Sequence, residues 1–219
     1  MVNKLNRILF FIFLLLSSCT ITANVVREPS SSIELYFCPR DMCKERILDY
    51  IDSARDIKCA FYDLNLPDII KKLSEKKADV VIEDSNKIKE FNTGNSAALM
   101  HNKFCVFDNI TVFTGSMNPT IRDNYYNNNN MVIIKSKALA ANYLDEFNEL
   151  KNKKFGTGSR IKYPVVLHGD KLIENYFCPE DNCKLHVINA LKDANKSIYF
   201  MTFSFTDTDI GNLLWNKDK

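Results

Sequence analysis

The sequence predicts an α/β protein built on an internal repeat, and two observations carry that reading. Short apolar runs alternate with amphipathic helical stretches, the pattern of a layered α/β architecture. In addition, Ile33-Glu34-Leu35-Tyr36-Phe37-Cys38-Pro39 returns as Ile173-Glu174-Asn175-Tyr176-Phe177-Cys178-Pro179, an offset of 140 residues. The match runs on through Cys43 and Cys183, then Ala54 and Ala194. With one inserted residue near Ser197, Ile57 pairs with Ile198, Asp68 with Asp209 and Leu73 with Leu214. A repeat defines the folding unit, so it constrains every later assignment.

The elements follow in order. Ile33 to Phe37 is a strand. Asp41 to Ala54 is a helix with Ile47, Leu48, Ile51 and Ala54 on one face. Ile57 to Tyr62 is a short apolar strand, and Pro67 suits the first turn of a helix running to about Lys76. Asp79 to Glu83 reads as a buried strand, Ser85 to Phe91 as a weaker helix, followed by a polar loop with Gly94. His101 to Phe107 and Ile110 to Phe113 are strands around a turn at Asp108-Asn109, and Met131 to Lys135 is another. Leu139, Ala140, Tyr143, Leu144, Phe147 and Leu150 make an amphipathic helix. Residues 151–172 read as a linker broken by Gly156, Gly158 and Pro164. The second repeat, residues 173–219, carries a cysteine pair, a helix, the strand Ile198 to Phe205 and part of a further helix.

Residues 1–19 form a separate segment. Lys4 and Arg7 precede the apolar run Ile8 to Leu16, and Ser17, Ser18 and Cys19 close it, the layout of a secretory signal. The run is short of the roughly 20 residues that span a bilayer. Leu16-Ser17-Ser18-Cys19 also resembles a bacterial lipobox, which implies lipidation at Cys19; a cleaved signal or a retained anchor are the alternatives. Each places the protein outside the cytoplasm, secreted or membrane-anchored.

The chain has 29 Lys and Arg against 27 Asp and Glu, and Lys4 and Arg7 account for the difference. A processed chain is therefore neutral and lacks the basic footprint of a nucleic-acid binder. The local exception is the basic stretch Lys151, Lys153, Lys154, Arg160, Lys162 and Lys171. In an oxidising compartment Cys38 with Cys43 and Cys178 with Cys183 are candidate local disulfides. Their spacing, without nearby histidines, is a poor zinc pattern. Cys59 and Cys105 lie in apolar runs and read as buried thiols.

The chemistry concentrates in His101-Asn102-Lys103-Phe104-Cys105-Val106-Phe107-Asp108 and the following Gly115-Ser116-Met117-Asn118. In a strand, His101 and Lys103 share a face. An imidazole can attack phosphorus or carry a proton near neutral pH. An ammonium and preorganised donors such as Ser116 and Asn118 can hold phosphate oxygens. Taken singly, each residue is usually structural; the joint pattern is far more specific.

His101-x-Lys103-x4-Asp108-x6-Gly115-Ser116-x-Asn118 resembles the HKD motif of the phospholipase D superfamily at every motif position. The resemblance covers residues 33–150 as one full unit and 173–219 as the start of a second. It implies a mixed sheet flanked by helices on both faces. It also implies two motifs meeting at a pseudo-twofold axis, in one chain or in a homodimer. One histidine would form a phosphohistidine and the other would protonate the leaving alcohol, with no metal or cofactor. By motif position His101 would be nucleophile or general acid, and Lys103 would hold phosphate. Asp108 would give electrostatic or structural support, and Ser116 and Asn118 would complete the phosphate site. Many members carry a glutamate after the Gly-Ser-x-Asn segment; here the corresponding stretch is Asn127-Asn128-Asn129-Asn130. By the repeat offset a second motif would fall near position 242, so the second unit is expected to be incomplete within these residues. The expected function is hydrolysis of a phosphodiester, with phospholipid favoured. An endonuclease acting on DNA or RNA and a non-catalytic surface protein of the same fold are the alternatives.

Overall fold

A computed structural model describes residues 25–94 and 99–217. The signal-like segment and Cys19 lie outside the described residues. Among the described residues ten strands and six helices follow one another: β1 (Val26–Glu28), β2 (Ile33–Cys38), α1 (Cys43–Ser53), β3 (Ile57–Phe61), α2 (Pro67–Glu75), β4 (Asp79–Glu83), β5 (Asn92–Gly94), β6 (Lys103–Phe107), β7 (Thr111–Gly115), α3 (Ile121–Tyr125), β8 (Asn129–Lys135), α4 (Lys137–Lys151), β9 (Val165–His168), β10 (Lys171–Glu174), α5 (Cys183–Asp193) and α6 (Thr208–Lys217).

Seven strands form one sheet in the order β2-β8-β7-β6-β3-β4-β5. The β3-β4-β5 side is parallel and the β2-β8-β7-β6-β3 side antiparallel, so the sheet is mixed. Each central strand buries both faces, which explains why β6 is apolar almost throughout. Cys105 and Phe107 join Ile47, Ile51, Ile69 and Leu73 of α1 and α2 on one face. Phe104 and Val106 join Leu139, Phe147 and Leu150 of α4 on the other. Helices therefore cover both faces, and Lys103, in step with Cys105 and Phe107, belongs to the α1–α2 face.

Both local cysteine pairs are disulfides, Cys38–Cys43 and Cys178–Cys183. Cys59 and Cys105, expected as free thiols, form a third. They are directly opposed in the β3–β6 ladder with Cα atoms 4.1 Å apart, close enough for a cross-strand bridge. The bond closes a loop over a sequence separation of 46, worth about 4 kcal/mol on the chain-entropy formula.

Three other expectations are corrected. Ser85 to Phe91 is not a helix: a 3-10 turn at Asp84–Asn86 leads into β5. Polar Ser85, Asn86 and Lys87 give too little apolar face to hold a longer helix. Residues 165–168, inside the expected linker, form β9, which pairs with β1 and β10 in a second, three-stranded sheet. Ile198 to Phe205 is not a strand, and Tyr199, Met201 and Phe203 are almost wholly exposed. Its counterpart β3 lies between β4 and β6, whereas Ile198 to Phe205 pairs with no strand among the described residues.

The duplication nevertheless recurs in the contacts. Tyr36 bonds Glu34 and Tyr176 bonds Glu174. Asp41 accepts from the Phe37 amide and Asp181 from the Phe177 amide. Lys44 pairs with Asp68 and Lys184 with Asp209. Lys76 caps the Asp52 and Ala54 carbonyls, and Lys217 caps those of Lys192 and Ala194. Among the described residues no helix is long and apolar enough to cross a membrane.

Candidate active site

Sheet register brings the candidate residues to one end of the large sheet. Phe61, Lys103, Gly115 and Met131 form one cross-strand row with Lys103 opposite Gly115 by extension of the β6–β7 ladder. The next row outward holds Tyr62, whose amide donates to the Asn102 carbonyl, and Ser116, whose amide donates to the Asn130 carbonyl. Gly115 lies at φ 151°, and a side chain there would bring its Cβ to 2.4 Å from the Asn130 carbonyl oxygen. Only glycine lets β7 and β8 close beside Lys103.

His101 stands two residues before β6 begins, not within it as the alternation suggests. The segment is pinned instead by hydrogen bonds on several sides. The Met100 amide donates to buried Glu83 (2.7 Å) and the Tyr62 amide to the Asn102 carbonyl (2.8 Å). Asn102 Nδ2 donates to Glu146 (3.1 Å), and Lys103 Nζ to the His101 carbonyl (2.9 Å). The His101 ring meets Tyr62 edge-on at 4.6 Å, and Lys103 Nζ lies 5.2 Å from the same ring centroid. Tyr62 therefore sets both groups against one aromatic ring.

Burial shapes the electrostatics. Desolvation, and then the Lys103 charge, holds the His101 imidazole below its ordinary range. Desolvation pulls Lys103 down to about 8, opposed by the charges of Asp123 and Asp63. Burial also pushes Glu146 up to about 7, with the Asn102 hydrogen bond acting against it. A neutral imidazole and a cation with a tunable proton are thus adjacent at neutral pH.

Ser116 and Asn118 are placed nearby, though their hydrogen bonds are partly committed. Ser116 Oγ donates to Asn129 Oδ1 and accepts from the Asn130 amide, both at 3.0 Å. Asn118 donates its backbone and side-chain nitrogens to Asp123 Oδ2, at 2.8 and 2.9 Å. Two buried atoms at this end, Asn118 Oδ1 and Asn129 Nδ2, make no hydrogen bond. An unmet buried polar atom costs roughly 1–3 kcal/mol, which a ligand contact would offset.

Asp108 is not brought to this cluster. β6 separates it from Lys103 by roughly 13 Å of strand rise, counted to Phe107 alone. Its carboxylate accepts from the Arg55 and Asp56 amides at 2.8 and 2.9 Å, and these bonds hold it below the usual carboxylate range. It locks the start of β3 to the end of β6. Sequence reading missed Tyr62 and Asp123, and it located the Asn127–Asn130 stretch without giving Asn129 a role. Thr120-x-x-Asp123 is a helix-start signature, and Thr120 does cap α3 by accepting from the Asp123 amide. No local signal marks Tyr62, which arrives through β3. Among the described residues no cluster of His, Cys, Asp or Glu is placed to hold a metal ion.

Residues 35–151, more than half of the chain, match the family model described as "Cardiolipin synthase, PLD-like domain". Among solved structures the chain is similar to Nuc, a phospholipase D family member from Salmonella typhimurium. The two are 26% identical with a TM-score of 0.52, over 56% of this chain and 95% of that one. It is also similar to NucT from Helicobacter pylori, at 17% identity and a TM-score of 0.48, over 56% of this chain and 96% of that one. No curated protein matches. A family match that spans β2 to α4 and encloses the whole HKD pattern leaves one conclusion: the chain belongs to the phospholipase D superfamily, through a cardiolipin synthase-type PLD-like domain.

Proposed function

We propose that this chain supplies half of a phosphodiester-hydrolysing site, with phospholipid as substrate. The observation that carries the reading is the convergence of His101, Lys103 and the Ser116–Asn129 pair at one sheet end. A ring nitrogen of His101 attacks phosphorus and forms a P–N bond as the P–O bond to the alcohol breaks. A second histidine gives its proton to the departing oxygen. Water then cleaves the phosphohistidine and returns a proton. Lys103 and Asn129 Nδ2 meet the charge that builds on the phosphoryl oxygens.

The second histidine must come from elsewhere. His168 is buried against Ser31, and His186 stacks on Tyr176 at 3.5 Å. A second copy of the chain, or a second motif on a longer chain, would supply it. Residues 173–219 are read as the beginning of a second unit, on the recurring contacts given above.

The surroundings favour lipid. Leu99, Phe37, Tyr125 and Tyr126 are exposed and lie in segments flanking the site: Leu99 two residues before His101, Phe37 opposite Asn130, and the tyrosines at the end of the helix that carries Asp123. Aromatic and apolar residues of this kind suit a headgroup boundary. A lipid anchor at Cys19 would hold the site at such a surface. The test compares release of headgroup from phosphatidylcholine vesicles with cleavage of single- and double-stranded DNA, in the presence of a chelator. Vesicle hydrolysis at least tenfold faster per phosphodiester is expected. DNA cleavage with intact vesicles would replace phospholipid by nucleic acid as the substrate, and abolition by the chelator would remove the histidine route.

A further inference from the structure

In the first repeat the Asp108 carboxylate sits in a small nest. It accepts from the Arg55 and Asp56 amides at 2.8 and 2.9 Å, and the Asp108 amide donates to the Asp56 carbonyl at 2.8 Å. The Lys76 ammonium, held by the Asp52 and Ala54 carbonyls, adds its charge. From this nest β3 runs antiparallel beside β6, with Ile57 opposite Phe107 and Phe61 opposite Lys103. A ladder and a carboxylate nest together hold the motif strand.

The second repeat rebuilds the same surface. Taking Ser197 as the inserted residue, Arg55 and Asp56 correspond to Asn195 and Lys196, and Lys76 to Lys217. Lys217 repeats the cap by donating to the Lys192 and Ala194 carbonyls at 2.6 and 2.8 Å. The Asn195 and Lys196 amides make no hydrogen bond among the described residues. Both residues line a cavity of about 520 Å³, together with Ile198, Leu214, Trp215 and Lys217. Ile198 to Phe205, the counterpart of β3, continues from it. Phe200 is 60% exposed, whereas its counterpart Cys59 is fully buried under the sheet's neighbours.

We infer that the second repeat is a docking site for a partner polypeptide strand: an extended apolar segment closed by an aspartate pairs antiparallel with Ile198 to Phe205 and seats its carboxylate on the Asn195 and Lys196 amides. β6 and Asp108 of the first repeat define the chemistry of that occupant. Main-chain pairing supplies affinity, and the aspartate fixes the register. Charge agrees, since Lys196 and Lys217 line the cavity and no Asp or Glu does. A second copy of this chain does not donate its own motif strand, because β6 is paired on both sides and bridged to β3 by Cys59–Cys105. The inference is independent of phosphodiester turnover.

The test uses the full chain and a capped peptide that copies residues 101–109 and carries Cys105→Val. Trp215 is the chain's single tryptophan and lines the cavity, so its emission reports occupancy. A saturable change in emission is expected. The amides of Ile198 to Phe205 should exchange at least about tenfold more slowly with peptide bound. Asp108→Ala in the peptide should weaken binding about 10- to 100-fold, the scale of taking a carboxylate from two amide donors. That variant leaves the chain itself untouched. In the chain, Lys196→Pro removes one of the two donors. It should weaken the aspartate peptide and narrow the difference between the two peptides, because both changes act on one contact. A peptide that leaves Trp215 emission and amide exchange unchanged, or that binds equally with aspartate or alanine, would overturn the inference. So would amides of Ile198 to Phe205 that self-association already protects in the chain alone.

Discussion

Replacing His101 by alanine is expected to abolish turnover, a loss of at least about 10⁴-fold, with little change in Tm. The size of the loss follows from the nucleophilic role proposed for His101, for which no neighbour substitutes. The small stability effect follows from location. His101 is exposed, and its ring contact with Tyr62 is an edge-on pair worth about 0.5–1.5 kcal/mol. The bonds that hold the segment belong to the Met100 amide, the Asn102 side chain and carbonyl, and the His101 carbonyl, and these survive the substitution. Steady-state assays with thermal melts check it. Turnover within tenfold of wild type would remove His101 from the chemistry.

Lys103→Met is expected to cost about 10²–10³-fold in kcat and to raise Tm. The kinetic loss is that of one preorganised donor to a developing phosphoryl charge. The stability gain comes from removing an ammonium that the fold desolvates. The sign is fixed by linkage. Lys103 titrates at about 8 in the fold against 10.5 unfolded, so between those values the unfolded chain binds more protons. Stability therefore rises with pH across that window, and the cost is fully present below it. The methionine variant lacks this slope. Wild-type turnover, by contrast, should fall as pH rises through about 8, because the cation proposed to hold phosphate is lost. It should fall again as pH drops below the ordinary histidine range, because partial desolvation and the Lys103 charge hold the His101 imidazole below that range. Melts and rate profiles from pH 5 to 10 check both limbs.

The periodic and repeated parts of the fold were legible in the sequence. Asp79–Glu83 and the helix at Pro67 follow from runs whose burial is decided locally. The inserted residue near Ser197 was visible from alignment, and the paired caps of Lys76 and Lys217 match it. What the sequence hid depends on register and neighbours. The Cys59–Cys105 bridge requires β3 beside β6, and neither apolar run carries a mark of its partner. Ile198 to Phe205 has the composition of a strand, but a strand needs a ladder, and composition cannot supply one. His101 and Lys103 do lie together, but not by strand alternation, which begins at Lys103: pinning by Glu83, Glu146 and Tyr62 places His101. Asp108 was grouped with them by motif spacing, while the structure sets it at the opposite end of β6.

The most direct test of the account is capture of the covalent intermediate. The chain, concentrated enough to self-associate, is mixed with short-chain phosphatidylcholine and quenched within milliseconds in alkali, where a phosphohistidine survives. The His101 peptide is then examined by mass spectrometry. A phosphatidyl adduct on His101 that forms and decays at the rate of turnover is the predicted result. Turnover without any adduct on His101, or an adduct on another residue, would contradict it.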